Sequence, residues 1–342
     1  MGLVDFIEEN IKDRFPNIEI RKEIFSLSTF KFKNVSISQN NTKIKVLDSS
    51  YGYPQNLNIE GENLYKLTSN DPSEIFQEKG YLDNKIIFIE DINKFNFKYL
   101  SLFNPKLVLT NSKFKKPVYS ESIPIFSIWN SLEEEKEIKL SAKIKKEEIK
   151  GTNYFIDIGY GPYYFYILFP FDSFFQTENE LTFYGTFNLL KEILRRLFEV
   201  KYPKGYRIRI LFNDLAYFNY YGLRKHLENI QEKNVICFLN LEATGIGNEK
   251  LILKNNRIFL DRFTAKRVDK IINDIGIKIK KERLKEYSYI DEILLDVPII
   301  WFNSQPNEEK YNLKKEFLPE KIENNMAYVV FSIINNLYKG VI

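Results

Sequence analysis

The sequence is poor in the residue types that most often bind metals or form covalent cross-links. Its 342 residues include one histidine, His226, and one cysteine, Cys237. A single cysteine excludes a disulfide within the chain, and a single histidine excludes a metal site that needs two imidazole ligands. Cys237 lies in the apolar run VICFLNL, where a small buried hydrophobic side chain is expected.

The chain has no large excess of either charge. Lys and Arg total 50, Asp and Glu total 46, and the net charge is +4. Because this small excess is spread along the sequence, it provides no electrostatic basis for binding nucleic acid. We therefore expect no nucleic-acid partner.

Segments that would place the chain in or across a membrane are also missing. The uncharged stretch 158–171 is too short to span a bilayer and contains Gly and Pro, so we expect no membrane span. The N-terminus has acids at Asp5, Glu8 and Glu9 and lacks the basic and apolar segments of a signal peptide. A soluble, cytoplasmic protein is the simplest expectation.

Apolar and aromatic residues, in contrast, are abundant. Hydrophobic residues make up 44% of the chain and aromatic residues 15%, with 29 Phe and 22 Tyr, which is enough for a large buried core. The length exceeds the roughly 250 to 300 residues that one hydrophobic core usually serves. We therefore expect two domains, or one domain with a large insertion.

The N-terminal part of the chain is dominated by strand patterns. Residues 3–14 have apolar residues at helical spacing, and Pro16 ends this pattern. Residues 18–47 alternate between apolar and polar, which favours strands with one solvated face. Further apolar strands are predicted at three places: KIIFIED, KLVLT and IPIFSI. The charged segment 131–150 is either a solvated edge strand or a linker.

From Gly151 onward, strand patterns and helix patterns alternate. The run YYFYILFPF is almost continuously apolar, as expected for a strand that is covered on both faces. The helix that follows has a wide apolar stripe. The stripe consists of Leu189, Leu190, Ile193, Leu194 and Leu197. Strands at RIRILFND, VICFLNLE and VPIIWF continue the alternation. This order predicts an α/β fold with a mostly parallel sheet.

Five segments after Gly151 stand at predicted strand ends or helix starts. They are ILFPFDSF, ELTFYGTFNLLKE, RIRILFNDLAYFNYYGL, NLEATG and PIIWFNSQPNEEKYN. In order and spacing they resemble the metal motifs of the two-zinc aminopeptidases, a family that also includes the transferrin receptor and nicastrin. The resemblance covers about residues 150–342. It implies a three-layer α/β fold of the zinc-exopeptidase type.

The resemblance also implies which residues stand at the first two metal motifs. In the strand end that matches His-x-Asp, Pro170 takes the position of the histidine and Asp172 is retained. In the helix start that matches the family's bridging Asp, Leu181 falls at or near that position, and a shifted alignment would bring Glu178 or Glu180 there. Proline has no side-chain atom that could bind a metal.

The remaining three motifs are altered as well. Ala216 and Tyr217 occupy the positions of the Glu-Glu pair, which supplies a zinc ligand and the general base. Glu242 replaces the Asp of the fourth motif, and Asn312 stands at the final His. His226 matches none of the ligand positions and is predicted to be a surface or satisfied helix residue. The resemblance therefore implies a non-catalytic member with no metal cofactor.

The same resemblance suggests a division of the chain. Residues 1–44 would pack on the main domain as an N-terminal helix and strands. Residues 45–130 resemble the protease-associated insert of many family members, which would form a smaller β-rich lobe. Residues 131–342 would form the zinc-peptidase-like α/β domain.

The leading functional hypothesis is a binding or scaffolding module for a peptide or protein partner. The predicted strand ends are rich in aromatic residues, which could line a groove for that partner. The candidate groove residues are Phe171, Phe174, Tyr184, Tyr217 and Tyr220. Alternatively, these rings simply fill the volume that metals and their ligands occupy in the family.

Two further hypotheses remain open. The chain could be a metal-dependent aminopeptidase or another hydrolase with relocated carboxylate ligands. The candidate carboxylates are Asp172, Glu178, Glu180, Asp214 and Glu242. It could also be an assembly subunit that forms a homo-oligomer, which the segment YFNYYGL favours weakly.

Overall fold

The computed structural model describes most of the chain. The described residues are 8, 11–13, 15–67, 77, 82–90, 103–114, 117–129, 132–133, 136–170, 180–199, 205–230, 234–242, 256–260, 265–276, 280–283, 297–304 and 320–339. Only the backbone is described for 180–188, 242, 256–260, 280–283, 303–304, 320–326 and 337–339.

The described residues form sixteen strands and four longer helices. In chain order the strands are β1 (Ile20–Gln39), β2 (Thr42–Ile44), β3 (Val46–Ser49), β4 (Tyr51–Gly52), β5 (Leu57–Lys66), β6 (Ile86–Ile89), β7 (Leu107–Thr110), β8 (Tyr119–Ser120), β9 (Ile125–Ile128), β10 (Glu137–Gly159), β11 (Tyr163–Pro170), β12 (Tyr206–Asn213), β13 (Val235–Glu242), β14 (Asn256–Leu260), β15 (Lys280–Arg283) and β16 (Ile299–Ser304). The helices are α1 (Glu180–Phe198), α2 (Tyr221–Leu227), α3 (Ala265–Ile275) and α4 (Glu320–Lys339).

The chain folds into two compact units. The α/β unit comprises Met1–Phe25, Gly151–Ala216 and Tyr220–Ile342, and the β-rich unit comprises Ser26–Lys150 and Tyr217–Asn219. The two long strands, β1 and β10, contribute residues to both units. The sequence-based boundaries at residues 44 and 130 rest on the family resemblance and stay a prediction.

The sheet of the α/β unit is mixed and mostly parallel. Its strand order is β15-β14-β16-β13-β11-β12-β10. Four of the neighbouring pairs are parallel, namely β14–β15, β13–β16, β11–β13 and β11–β12. The pairs β14–β16 and β10–β12 are antiparallel. This arrangement confirms the predicted α/β class.

Apolar clusters cover both faces of this sheet. On one face, the apolar stripe of α1 packs with residues of α3 and α4, and every member of the predicted stripe is buried. On the other face, Tyr166, Leu168 and Phe238 form a cluster with Leu223 of α2. Because β11 lies between the two clusters, successive side chains along it are all apolar, which explains its uniform sequence.

The β-rich unit contains a run of neighbouring, mostly parallel strands. Its strands β5, β6, β7 and β9 are parallel, and β3 pairs antiparallel with β9. The three apolar segments predicted as strands form β6, β7 and β9, each with all residues buried. The segment left open between edge strand and linker is a strand from Glu137 onward, because its alternating apolar residues pair with β5 and face a core cluster.

A helix that crosses a bilayer must be both long and strongly apolar. None of the described helices meets both conditions.

The core of the α/β unit sets a first testable expectation. Ile193 of α1 is 0% exposed, whereas Ile24 of β1 is 72% exposed. Ile193→Ala should lower the free energy of unfolding by about 2 to 5 kcal/mol, because it removes buried methyl groups and leaves a cavity. The matched change Ile24→Ala should cost less than about 1 kcal/mol. Urea unfolding of both variants measures the difference, and equal losses would contradict the placement of α1.

Candidate functional site

Four neighbouring strands of the α/β unit end at one edge of its sheet. The strands β12, β11, β13 and β16 are adjacent in that order and run parallel. They end at Asn213, Pro170, Glu242 and Ser304. Open α/β sheets bind their ligands beyond the carboxyl ends of such strands. We call this edge the strand-end edge.

Two predicted motif positions can be located here. Pro170 is the last residue of β11, is buried, and is paired in register with Asn213 of β12. Ala216 follows β12, is 8% exposed, and belongs to the apolar cluster that also contains Tyr220 and Leu223. A glutamate in place of Ala216 would put a carboxylate into this apolar cluster, which is costly without a partner.

The two described groove candidates lie in different compact units. Tyr220 is buried in the apolar cluster of the α/β unit. Tyr217 is half-buried and belongs to the β-rich unit together with Phe218 and Asn219. In that unit, Phe218 makes edge contacts with the rings of Tyr51 and Tyr119. For Tyr220 the burial favours core filling over a groove.

The other candidates fall outside what is described. Phe171, Asp172, Phe174, Glu178 and Asn312 lie outside the described residues. For Glu180, Leu181 and Tyr184 in α1, and for Glu242 at the end of β13, only the backbone is described.

Asp214 holds the turn that leaves β12. Its Oδ2 accepts a hydrogen bond from the backbone N–H of Thr152 at 3.0 Å, and its Oδ1 accepts one from the backbone N–H of Leu215 at 2.8 Å. Burial raises the pKa of Asp214, and these two hydrogen bonds oppose the rise. Because both of its oxygens accept hydrogen bonds from backbone N–H groups, Asp214 stabilises the turn.

The turn between β12 and α2 is tight and strained. Leu215, Asn219 and Tyr220 have φ values of 53°, 55° and 52°, in the left-handed region that non-glycine residues seldom adopt. A Cβ on Gly222 would lie 2.3 Å from the carbonyl oxygen of Asp214. Only glycine therefore lets α2 begin this close to the end of β12.

His226 of α2 is the centre of a buried polar network. The residue is 2% exposed. Its Nδ1 lies 2.6 Å from Oε2 of Glu23 in β1, and its Nε2 lies 3.2 Å from both Nη1 of Arg209 and the hydroxyl oxygen of Tyr166. The ring also makes edge contacts with Phe155 and Tyr166. His226 is thus a satisfied, buried residue.

These contacts assign the tautomer of His226. Arginine can only donate hydrogen bonds, so the Nε2 atom that faces Arg209 must accept. The ring proton therefore sits on Nδ1 and is donated to Glu23. Burial alone would raise the pKa of Glu23, but the interactions with His226, Asn153 and Arg209 outweigh it, and the pKa is lowered.

Arg209 links this network to a second carboxylate. Its Nε and Nη2 donate to the two oxygens of Asp157, each at 2.7 Å. Burial works against the charge of Arg209, yet the hydrogen bonds to Asp157 and the interactions with neighbouring tyrosines keep its pKa raised. The guanidinium also lies 4.4 Å from the ring centre of Phe155. A bidentate ion pair of this kind fixes the orientation of the two side chains and also neutralises their charges.

Sequence reasoning did not find this network. Glu23 and His226 are 203 residues apart, and neither belongs to a motif. The one signal in the sequence was that the chain's single histidine stands in a short helical pattern, three residues after Leu223.

Three asparagines lie buried on the α2 side of the sheet, and they differ in their hydrogen bonds. Asn153 donates to the carbonyl of Gly222 at 2.7 Å and accepts from the N–H of Asp214 at 3.1 Å. Asn240 donates to the hydroxyl of Tyr220 at 3.4 Å, but its Oδ1 has no described partner. Neither amide atom of Asn213 has a partner among the described residues.

A protein metal site needs several ligating side chains close together. Within the described part of the chain, no group of three or more His, Cys, Asp or Glu side chains is close enough to hold a metal. Asp172 and the side chain of Glu242 are not covered by this statement.

Comparison with known proteins identifies the fold. No protein-family profile matches the sequence, and no curated protein matches it significantly. Among solved structures, a zinc aminopeptidase from Bacillus subtilis has 11% identity and a TM-score of 0.55, with 97% of this chain and 86% of that chain covered. An aminopeptidase from Aneurinibacillus sp. strain AM-1 has 12% identity and a TM-score of 0.58, with 98% and 87% covered.

A third solved structure agrees with these two. A peptidase M28 precursor from Shewanella amazonensis SB2B has 12% identity and a TM-score of 0.54, with 97% of this chain and 87% of that chain covered. At such low identities the similarity establishes the fold alone. The chain thus has the fold of the zinc aminopeptidases.

The network around His226 predicts a pH-dependent contribution to stability. Because the pKa of Glu23 is lowered in the folded state, its contribution is fully present above its unfolded pKa, near about 4.5, and is lost as the pH falls through the lower folded value. The stability difference between wild type and Glu23→Gln should therefore shrink as the pH falls from about 4.5 towards about 3. Urea unfolding across this range measures it.

The matched control is Glu60→Gln, at an exposed position of β5. It should change the stability little at any of these pH values. A Glu23→Gln difference that stays constant down to about pH 3 would show that Glu23 is not engaged as described.

Proposed function

We propose that this chain is a degenerate, non-catalytic relative of the two-zinc aminopeptidases that binds a peptide or protein partner at the strand-end edge. The observation that carries the proposal is the environment of His226. It is the only histidine in the sequence, and both of its ring nitrogens are engaged by Glu23, Arg209 and Tyr166 in a buried network. It is therefore committed to the network and not free to bind a metal.

The other described positions support the same reading. Zinc sites in peptidases draw on histidine, cysteine and carboxylate ligands. Cys237 is buried within β13, and Asp214 uses both oxygens to hold the β12–α2 turn. Ala216 lies in an apolar cluster, where it can neither bind zinc nor accept a proton from water.

The fold supports the choice of partner and of site. The solved structures that share this fold are aminopeptidases by name, so a peptide is the ligand class that the architecture suggests. Open α/β sheets bind ligands beyond the carboxyl ends of their strands. We further propose that residues 45–130 correspond to a protease-associated-like insert, that the protein acts in the cytoplasm, and that neither nucleic acid nor a metal cofactor takes part.

The proposal predicts little metal and no hydrolysis. Protein purified without chelators should contain substoichiometric zinc by elemental analysis. Aminoacyl-chromogenic substrates should show no turnover above buffer with added zinc, cobalt or manganese. Restoring a carboxylate with Ala216→Glu should not create activity, because the metals on which it would act still lack their imidazole ligands.

The assay needs a positive control, and one result would contradict the proposal. An active zinc aminopeptidase measured in parallel shows that the substrates and metals are competent. About two equivalents of bound zinc, with turnover that is lost on chelation, would overturn the proposal. That result would favour the alternative, a metal-dependent hydrolase with relocated carboxylate ligands.

A further inference from the structure

Asn213, at the strand-end edge, is a buried polar residue whose amide lacks described hydrogen-bond partners. It is the last residue of β12, is 0% exposed, and has no hydrogen-bond partner for either its Nδ2 or its Oδ1 among the described residues. Asn153 provides an internal comparison. The pairing of Tyr154 with Phe212 places Asn153 beside Asn213 on the neighbouring strand, and Asn153 has partners for both amide atoms.

A buried amide without partners lowers the stability of the fold. Each unsatisfied buried polar group lowers the free energy of unfolding by about 1 to 3 kcal/mol. A buried apolar side chain of similar shape has no such desolvation penalty. For folding alone, a leucine would serve better at position 213. Groups that are unfavourable in the free protein are characteristic of sites where a ligand completes the hydrogen bonds.

A second buried amide flanks the same strand end. Asn213 is in register with Pro170, and Asn240 is in register with Leu168, on opposite sides of β11. Asn240 has an open acceptor, because only its Nδ2 is engaged, by Tyr220. The end of β11 is therefore flanked by one unsatisfied amide group and one further unsatisfied carbonyl oxygen.

The chemistry of these groups defines the ligand. A carboxamide donates through Nδ2 and accepts through Oδ1, so its natural complement is another amide, which accepts and donates in return. Both asparagines are uncharged, and the neighbouring Asp214 has both oxygens engaged by backbone N–H groups. An uncharged peptide group therefore fits better than a charged terminus.

We propose that Asn213 is a recognition residue that hydrogen-bonds a backbone amide of a peptide at the strand-end edge. This inference rests on the proposed function as a peptide-binding protein. The Nδ2–H of Asn213 donates to the peptide carbonyl, and its Oδ1 accepts from the peptide N–H. Binding thus supplies the two hydrogen bonds that the free protein lacks.

The test uses the full chain and two substitutions of the same type. Asn213→Leu should leave the free energy of unfolding unchanged or raise it, because no other described group loses a hydrogen bond. Asn153→Leu should lower it, because the carbonyl of Gly222 and the N–H of Asp214 lose their partner. Leucine could be too large for the site. Asn213→Ala removes the amide without adding volume and therefore serves as the second variant.

Binding is measured with a defined probe, the doubly blocked dipeptide N-acetyl-alanyl-alanine amide, by NMR titration. Wild type should bind it saturably, with shifts of the Asn213 side-chain N–H signals. Asn213→Leu and Asn213→Ala should weaken the Kd at least tenfold. The unblocked dipeptide, with charged ends, should bind wild type more weakly than the blocked one.

The outcomes separate this inference from the proposed function. If the blocked dipeptide binds wild type and both Asn213 variants equally, Asn213 is not a recognition residue, while peptide binding stands. The recognition role would also be excluded if an internal water molecule satisfied the Asn213 amide and the Asn213 variants bound the peptide as tightly as wild type. If wild type binds no peptide but acetamide shifts the Asn213 N–H signals, amide recognition stands and the proposed function fails. A loss of stability in Asn213→Ala as large as in Asn153→Leu would overturn the inference.

Discussion

The hydrogen bonds of His226 fix the position of α2 on the sheet. One ring nitrogen is tied to Glu23 of β1 and the other to Arg209 of β12 and Tyr166 of β11. Because β1 comes from the N-terminus and the other strands from the middle of the chain, this single side chain connects three distant segments. Arg209 extends the connection to Asp157 of β10 through two parallel hydrogen bonds. A buried network of this kind specifies one arrangement, since each member left alone would be an unpaired polar group.

The close approach of α2 depends on the same network and carries a backbone cost. Gly222, in the first turn of the helix, lies against the end of β12, and Asn153 is hydrogen-bonded to its carbonyl oxygen. The turn before it contains three non-glycine residues in the left-handed region. Strain of this size persists only where the surrounding contacts determine the conformation. Here the contacts are those of His226 and of the apolar cluster around Leu223.

The network also bears on function. In this chain, Ala216 lies in the core, and the one imidazole stabilises the fold. The buried polar groups without a described hydrogen-bond partner near the strand-end edge include the neutral amides of Asn213 and Asn240. Both side chains are uncharged and carry hydrogen-bond donors and acceptors.

Local pattern was sufficient for much of the architecture. The apolar runs predicted β6, β7, β9 and β11, because a strand that is covered on both faces needs apolar residues at every position. The stripe of α1 followed from its 3.6-residue period, and the order of strands and helices predicted the α/β class. All of these features depend on residues that are close in the sequence.

The roles of individual polar residues could not be predicted from the sequence pattern. Nothing local indicates that Glu23 meets His226, that Asn153 is satisfied while its neighbour Asn213 is not, or that Tyr217 and Tyr220 belong to different compact units. Each of these outcomes is set by which strands become neighbours and in which register. Composition and periodicity thus dictated the elements and the fold class of this protein, while long-range strand pairing decided which of its polar side chains hold the fold together and which lack a hydrogen-bond partner among the described residues.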